Sequence, residues 1–161
     1  MRTRLVPALL LALYGALLAK VMVFKDVPLI RIGRVMVNFG GTDASGSANL
    51  VPFSTILPYL LGYKGLMIAG INLAGNVALL VPIGFLAPFI HRAMTWRQSL
   101  TLGAFAGLAI EIPQSLLRVG VFDIDDVILN AFGVLVGYWV HAAYAKWIRP
   151  RVLSSRAVRI D

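Results

Sequence analysis

Residues 65–90 read GLMIAGINLAGNVALLVPIGFLAPFI, a run without a single charge. An α-helix rises about 1.5 Å per residue and a bilayer core takes about 20 apolar residues to cross. This stretch therefore predicts a membrane-spanning helix. Residues 5–24, 99–117 and 127–147 are of comparable length and character. The predicted fold is an all-α membrane protein, a bundle of four transmembrane helices in one domain covering residues 1–161. Its core runs over about residues 5–147, and a basic cytoplasmic tail, residues 148–161, follows.

Composition agrees. The 161-residue chain is 59% hydrophobic and 14% charged, against about 45–50% and a quarter in soluble domains, and its mean hydropathy is +0.83. An ordinary soluble domain is excluded. With no cysteine, disulfides, thiolate metal sites and cysteine nucleophiles drop out. A net charge of +8 would point a soluble protein toward nucleic acid. Here the cations flank apolar runs rather than alternating with exposed aromatics, so membrane lipids are the expected partners and nucleic acid is not. The first run follows Arg2 and Arg4 as a secretory signal would, but no small-x-small cleavage site precedes Lys20. It is expected to remain as a span.

Four spans put both termini and residues 91–98 on one side, with Arg2, Arg4, Arg92, Arg97, Lys146, Arg149, Arg151, Arg156 and Arg159. The positive-inside rule makes that side cytoplasmic, in a bacterial-type cytoplasmic membrane. The opposite side holds residues 25–64 and 118–126. Within the former, residues 27–37 suit a short amphipathic helix lying in the interface, with Arg31 and Arg34 reaching headgroups. Residues 40–47 form a Gly-rich, polar break. Residues 50–63, broken by Pro52 and Pro58, are too short to cross. They are expected to lie against the membrane or re-enter it partway, where protein must satisfy their backbone.

Polar side chains inside spans are costly, about 2.5–3.5 kcal/mol for a central charge, and so usually face a partner or a cavity. Asn72 and Asn76 stand four apart in the second span; Glu111, Gln114 and Arg118 follow one face of the third. Asp126 and Asn130 repeat the four-residue spacing in the fourth, behind Asp123 and Asp125. Counted from the span boundaries, these faces fall roughly 4–11 Å inside the outer end of the bilayer. Three helices thus deliver polar groups to one layer, and Pro113 is placed where a bend would widen a cavity.

A plainer reading stands beside this one. Asn and Gln serve as interhelical hydrogen-bond glue at about 0.6 kcal/mol each, and an Asp before a helix caps it. Capping accounts for one or two of the three aspartates but not for a buried Glu111. The glycines at 133 and 137 make a GxxxG pair read as internal packing rather than dimerisation. Without a neighbouring histidine the carboxylates point to hard-cation binding or acid–base work, not zinc. Arg118 is suited to a phosphate or carboxylate. No catalytic residue, resident metal or cofactor is assigned.

The run Asn72-Leu73-Ala74-Gly75-Asn76, the stretch Val81-Pro82-Ile83-Gly84-Phe85-Leu86-Ala87-Pro88, the set Glu111-Ile112-Pro113-Gln114 with Arg118, and the stretch from Phe122 through Asn130 to Gly137-Tyr138 resemble the VanZ-like family of small membrane proteins. Tyr14 and Asn49-Leu50-Val51-Pro52-Phe53 match its earlier elements. The resemblance implies four membrane helices, and a founding member associated with resistance to the lipoglycopeptide teicoplanin. Members often carry a serine shortly before the glutamate of the third helix; residues 103–110 here contain none. The leading expectation is an outward-facing polar cleft, formed by Asn72, Asn76, Glu111, Gln114, Arg118, Asp123, Asp125, Asp126 and Asn130. It would bind an amphiphilic or lipid-linked ligand, such as a cell-wall precursor or a lipoglycopeptide. The alternatives are a divalent-metal enzyme acting on a phospholipid or polyprenyl-phosphate headgroup, and a structural or partner-binding helical protein.

Overall fold

The computed structural model describes residues 2–23, 30–32, 35–37, 47–62 and 66–147. Helices dominate: α1 (Arg2–Val23), a short α2 (Ile56–Leu60), α3 (Leu66–Ile90), α4 (Trp96–Leu116) and α5 (Ile124–Trp147). All four long apolar stretches form helices within a few residues of their expected ends. Two three-residue strands, β1 (Ile30–Ile32) and β2 (Val35–Val37), lie between α1 and α2.

Those strands correct the expectation of an interfacial helix over residues 27–37. They pair antiparallel, with Ile30 opposite Val37, Arg31 opposite Met36 and Ile32 opposite Val35. Isoleucine and valine lose side-chain freedom in a helix and fit a pleated strand, and only Gly33 and Arg34 separate the two runs. Local β preference wins over a helical reading of the same apolar positions. The break at residues 40–47, apart from its last residue, and the tail at residues 148–161 lie outside the described residues.

Among the described residues three helices are long and apolar enough to cross a membrane, through segments Arg4–Val21, Leu73–Ile90 and Ile124–Trp147. Of the four expected spans, α4 does not meet that measure. The difference lies in α4, which carries Arg97, Gln98, Ser99, Thr101, Glu111, Gln114 and Ser115 within its 21 residues. It starts at a capping box, in which the Thr95 hydroxyl accepts the Gln98 N–H and the Gln98 side chain accepts the Thr95 N–H. Pro82 and Pro88 in α3 and Pro113 in α4 sit inside continuous helices.

Helices α3 and α5 run parallel in close contact. Side chains at Gly84, Gly133 and Gly137 would collide with backbone: a Cβ at Gly84 would meet the Val134 carbonyl, at Gly133 that of Val77, and at Gly137 that of Val81. The GxxxG pair is therefore spent on internal packing. Helix α4 runs antiparallel along α5, where Gly103 faces Ala131 and Gly107 faces Val127 and Asn130. The buried Ser99 hydroxyl donates to the Val134 carbonyl at 3.1 Å. Leu18, Leu80, Ile83, Ile110 and Val134 form the common core. The Tyr14 hydroxyl fixes α1 to α3 by donating to the Leu79 carbonyl at 2.6 Å. The rest of α1 leaves Leu5, Val6, Leu9, Leu10, Leu13 and Leu17 exposed, a surface suited to lipid.

Candidate functional site

The acidic turn before α5 meets a chain segment about seventy residues upstream. Asn49 makes a parallel bridge with Asp123: its N–H donates to the Phe122 carbonyl at 2.8 Å, and its carbonyl accepts the Ile124 N–H at 3.0 Å. The Asn49 amide also donates to Asp123 Oδ1 and Thr55 Oγ1, while the Thr55 hydroxyl donates to Asp123 Oδ2 at 2.6 Å. Asp123 Oδ1 also accepts the Asp125 N–H, the capping role that an Asp before a helix suits.

Asp125 is fully buried. Its carboxylate accepts three backbone N–H groups, from Phe53 at 2.5 Å, Thr55 at 2.7 Å and Ile56 at 3.0 Å. Those donors, and the position of Asp125 in the first turn of α5, offset the cost of burying a charge. Phe53 takes a left-handed backbone (φ 66°) in this loop, uncommon and costly outside glycine. Asp123 and Asp125 together form a latch for residues 49–56; Asp123 also caps α5, whereas Asp125 accepts the N–H groups of a different segment.

Below the latch lies the polar layer. Glu111 is 3% exposed, and its Oε2 accepts the Asp123 N–H at 3.1 Å. Asn76 donates to Asp126 Oδ1 at 2.8 Å, joining α3 to α5. Gln114, one turn along α4 from Glu111, is also buried. Asn130, one turn deeper on α5 than Asp126, is 1% exposed, and neither its Nδ2 nor its Oδ1 has a hydrogen-bond partner. Its Cβ lies 3.2 Å from where a Cβ on Gly107 would be, on the α4 face that carries Glu111 one turn away. A buried amide left unpaired costs about 1–3 kcal/mol.

The structure thus brings Asn76, Glu111, Gln114, Asp126 and Asn130 into one region and turns Asp123 and Asp125 to another task. Asn72 lies on α3 one turn before Asn76, its side chain outside the described residues. Arg118 leaves the predicted stripe because α4 stops at Leu116. The Arg118 N–H donates to the Ser115 carbonyl and the Val119 N–H to the Gln114 carbonyl, a Schellman ending. Arg118 occupies its left-handed position, φ 54°, with an exposed side chain. Glycine takes that conformation without strain. Arg118→Gly is expected to raise the thermal midpoint in detergent by about 2–4 °C, the equivalent of about 1 kcal/mol. A lowered midpoint would show that the arginine side chain carries a stabilising contact.

Sequence reasoning missed Asn49, Thr55 and the N–H groups of Phe53, Thr55 and Ile56. The only trace of them was the Asn49-Leu50-Val51-Pro52-Phe53 run, noticed as a pattern and not as a partner for the aspartates. Among the described residues no three His, Cys, Asp or Glu side chains group as a metal site. His141 stands near the far end of α5, its Nδ1 3.2 Å from the Phe85 carbonyl and its ring 4.4 Å from that of Phe89. Fifteen residues of helix put it about 22 Å along the axis from Asp126, too far to serve as its base.

A family model described as VanZ/LLP1 matches residues 11–145. No curated protein and no solved structure matches the chain.

Proposed function

Since this chain belongs to the VanZ/LLP1 family, we propose that it is a multi-pass protein of a bacterial-type cytoplasmic membrane whose outward-facing polar layer binds the polar end of an amphiphilic or lipid-linked molecule. The observation that carries this reading is Asn130, an amide buried without partners one turn from Asp126 and beside the α4 face of Glu111. A ligand that supplied those hydrogen bonds would recover a cost the free protein bears. Lipid copurified with the wild-type protein should fall at least tenfold in Glu111→Gln and in Asp126→Asn, read by mass spectrometry of detergent extracts. Equal retention in folded variants would sink the binding role and leave a structural helical protein. The link to teicoplanin is tested separately, by comparing the drug's inhibitory concentration with and without the gene.

In this reading α4 is a fourth crossing. Its contacts run from Ser99 against Val134 to Glu111 against Asp123, so it accompanies most of the length of α5. Its polar side chains at 99, 111 and 114 are buried among helices rather than presented to lipid, as intramembrane polar groups require. Residues 50–61 sit in the outer leaflet. Support comes from the Asp125 latch on their N–H groups and from the exposure of Leu50, Val51, Phe53, Leu57, Leu60 and Leu61.

The termini are cytoplasmic, in keeping with the cations at residues 2–4, 92–97 and 146–159. Because the chain has no cysteine, single cysteines report topology cleanly. Ala48→Cys, just ahead of residues 50–61 and exposed, should react with a membrane-impermeant maleimide in intact spheroplasts, and Ala93→Cys only after lysis. The reverse pattern would invert the orientation.

A further inference from the structure

At the end of the bundle away from the polar layer, the turn from α3 into α4 lies beside the last turns of α5. The Phe89 ring, one residue before α3 ends, is 4.4 Å from that of His141 and 6.1 Å from that of Tyr144. Three exposed cations belong to this end: Arg92 in the turn, Arg97 at the start of α4 and Lys146 at the end of α5. No Asp or Glu occurs in residues 44–110 or 127–160. The described carboxylates are out of reach, since Glu111 stands about 21 Å along α4 from Arg97 and Asp126 about 30 Å along α5 from Lys146. All three tryptophans of the chain, Trp96, Trp139 and Trp147, also fall here, and all three are exposed. The Arg97 guanidinium lies 5.3 Å from the centre of the Trp96 ring, and the Lys146 ammonium 5.4 Å from that of Trp147.

A tryptophan ring settles among lipid headgroups, its body apolar and its N–H wet. A cation stacked on that ring is held at the same depth, which is the depth of lipid phosphates. The ring covers one side of the cation and leaves donors free to meet a phosphate oxygen. Deeper in the bundle, α4 turns Phe105 outward and α5 turns Phe132 and Val140 outward, an apolar wall against which acyl chains lie. A soluble polyanion would meet the cations alone, whereas a negatively charged lipid meets cations, rings and wall together. We infer that this rim, Trp96, Arg97 and Arg92 on one side and Trp139, Lys146 and Trp147 on the other, is a docking surface for anionic phospholipid and prefers it to zwitterionic phospholipid. It is independent of the binding role proposed for the polar layer. Each cation close to an anionic headgroup strengthens the attraction about fivefold.

The test places the full chain in phosphatidylcholine nanodiscs, which leave both faces open. A minor share of the lipid is replaced by phosphatidylglycerol or by phosphatidylcholine, either one brominated in the upper acyl chain. Bromine quenches tryptophan only at short range, and every tryptophan of the chain lies at this rim, so quenching reads which lipid occupies it. Phosphatidylglycerol is expected to be enriched there about fivefold or more over phosphatidylcholine, and the enrichment should fall as salt is raised. It should vanish when Arg92→Gln, Arg97→Gln and Lys146→Gln are combined, and each substitution alone should remove part of it. Arg118→Gln, at the opposite end, should leave it unchanged. None of the three side chains hydrogen-bonds a described residue, so the combined variant should keep the wild-type thermal midpoint. Equal quenching by the two brominated lipids overturns the inference, as does an enrichment that survives the combined substitution. So does its loss to a single-stranded oligonucleotide at matched phosphate concentration and constant salt, which would mark the rim as a surface for soluble polyanions.

Discussion

Asp125→Ala is expected to abolish the folded protein, leaving no monodisperse species in detergent chromatography. The side chain is fully buried and accepts the N–H groups of Phe53, Thr55 and Ile56. Truncation leaves three donors unpaired where water cannot replace the carboxylate, at about 1–3 kcal/mol each. The sum is comparable with the roughly 5–15 kcal/mol of a whole domain. Asp125→Asn should be nearly as damaging, because one carboxamide position is itself a donor and faces N–H groups. Ser54→Ala is the control: its exposed hydroxyl bonds only Asn49 and the Val51 carbonyl, and the midpoint should move little. A stable, monodisperse Asp125→Ala protein would show that the latch is dispensable.

The second large effect is expected at Gly84. An added methyl there would run into the Val134 carbonyl and lie 2.9 Å from the Tyr138 nitrogen. Backbone cannot yield as a side-chain tip does, so Gly84→Ala must push α3 and α5 apart. Overpacking typically costs about 1–3 kcal/mol, and separating two helices that also share Gly133 and Gly137 contacts should place this variant at or above that range. Gly15→Ala and Gly70→Ala have nothing within 4 Å of the new methyl and should be neutral or slightly stabilising, by helix propensity. Thermal midpoints of the three variants in one detergent decide the matter. A Gly84→Ala protein as stable as Gly15→Ala would mean that the helices are not packed as closely as described.

Much of this was legible in the residues. Long apolar runs mark helices whatever surrounds them, so α1, α3, α4 and α5 could be drawn from spacing alone. The four-residue rhythm of Asp126 and Asn130 sets the two on one face of α5, because helix geometry is local. Two features were not legible. The paired strands Ile30–Ile32 and Val35–Val37 carry the same apolar residues a surface helix would, and β-branching decided between them. The roles of Asp123 and Asp125 depend on Asn49, Phe53 and Thr55, about seventy positions away, and no periodicity links the two stretches. Arg118 illustrates a third kind of error: a helix that ends two residues early removes a side chain from its stripe. Capping of α5 accounts for Asp123, while Glu111 and Asn130 lie deeper than capping requires.

The latch also sets an order of manufacture. The N–H groups of Phe53, Thr55 and Ile56 gain their acceptor from Asp125, 69–72 positions later. At about 5–20 residues per second of synthesis, the ribosome leaves that loop without its acceptor for roughly 4–14 s, while α3 and α4 enter the membrane ahead of α5. A nascent chain arrested before residue 123 lacks the carboxylates that close this loop. Helix α5 thus closes a loop synthesised about seventy residues ahead of it.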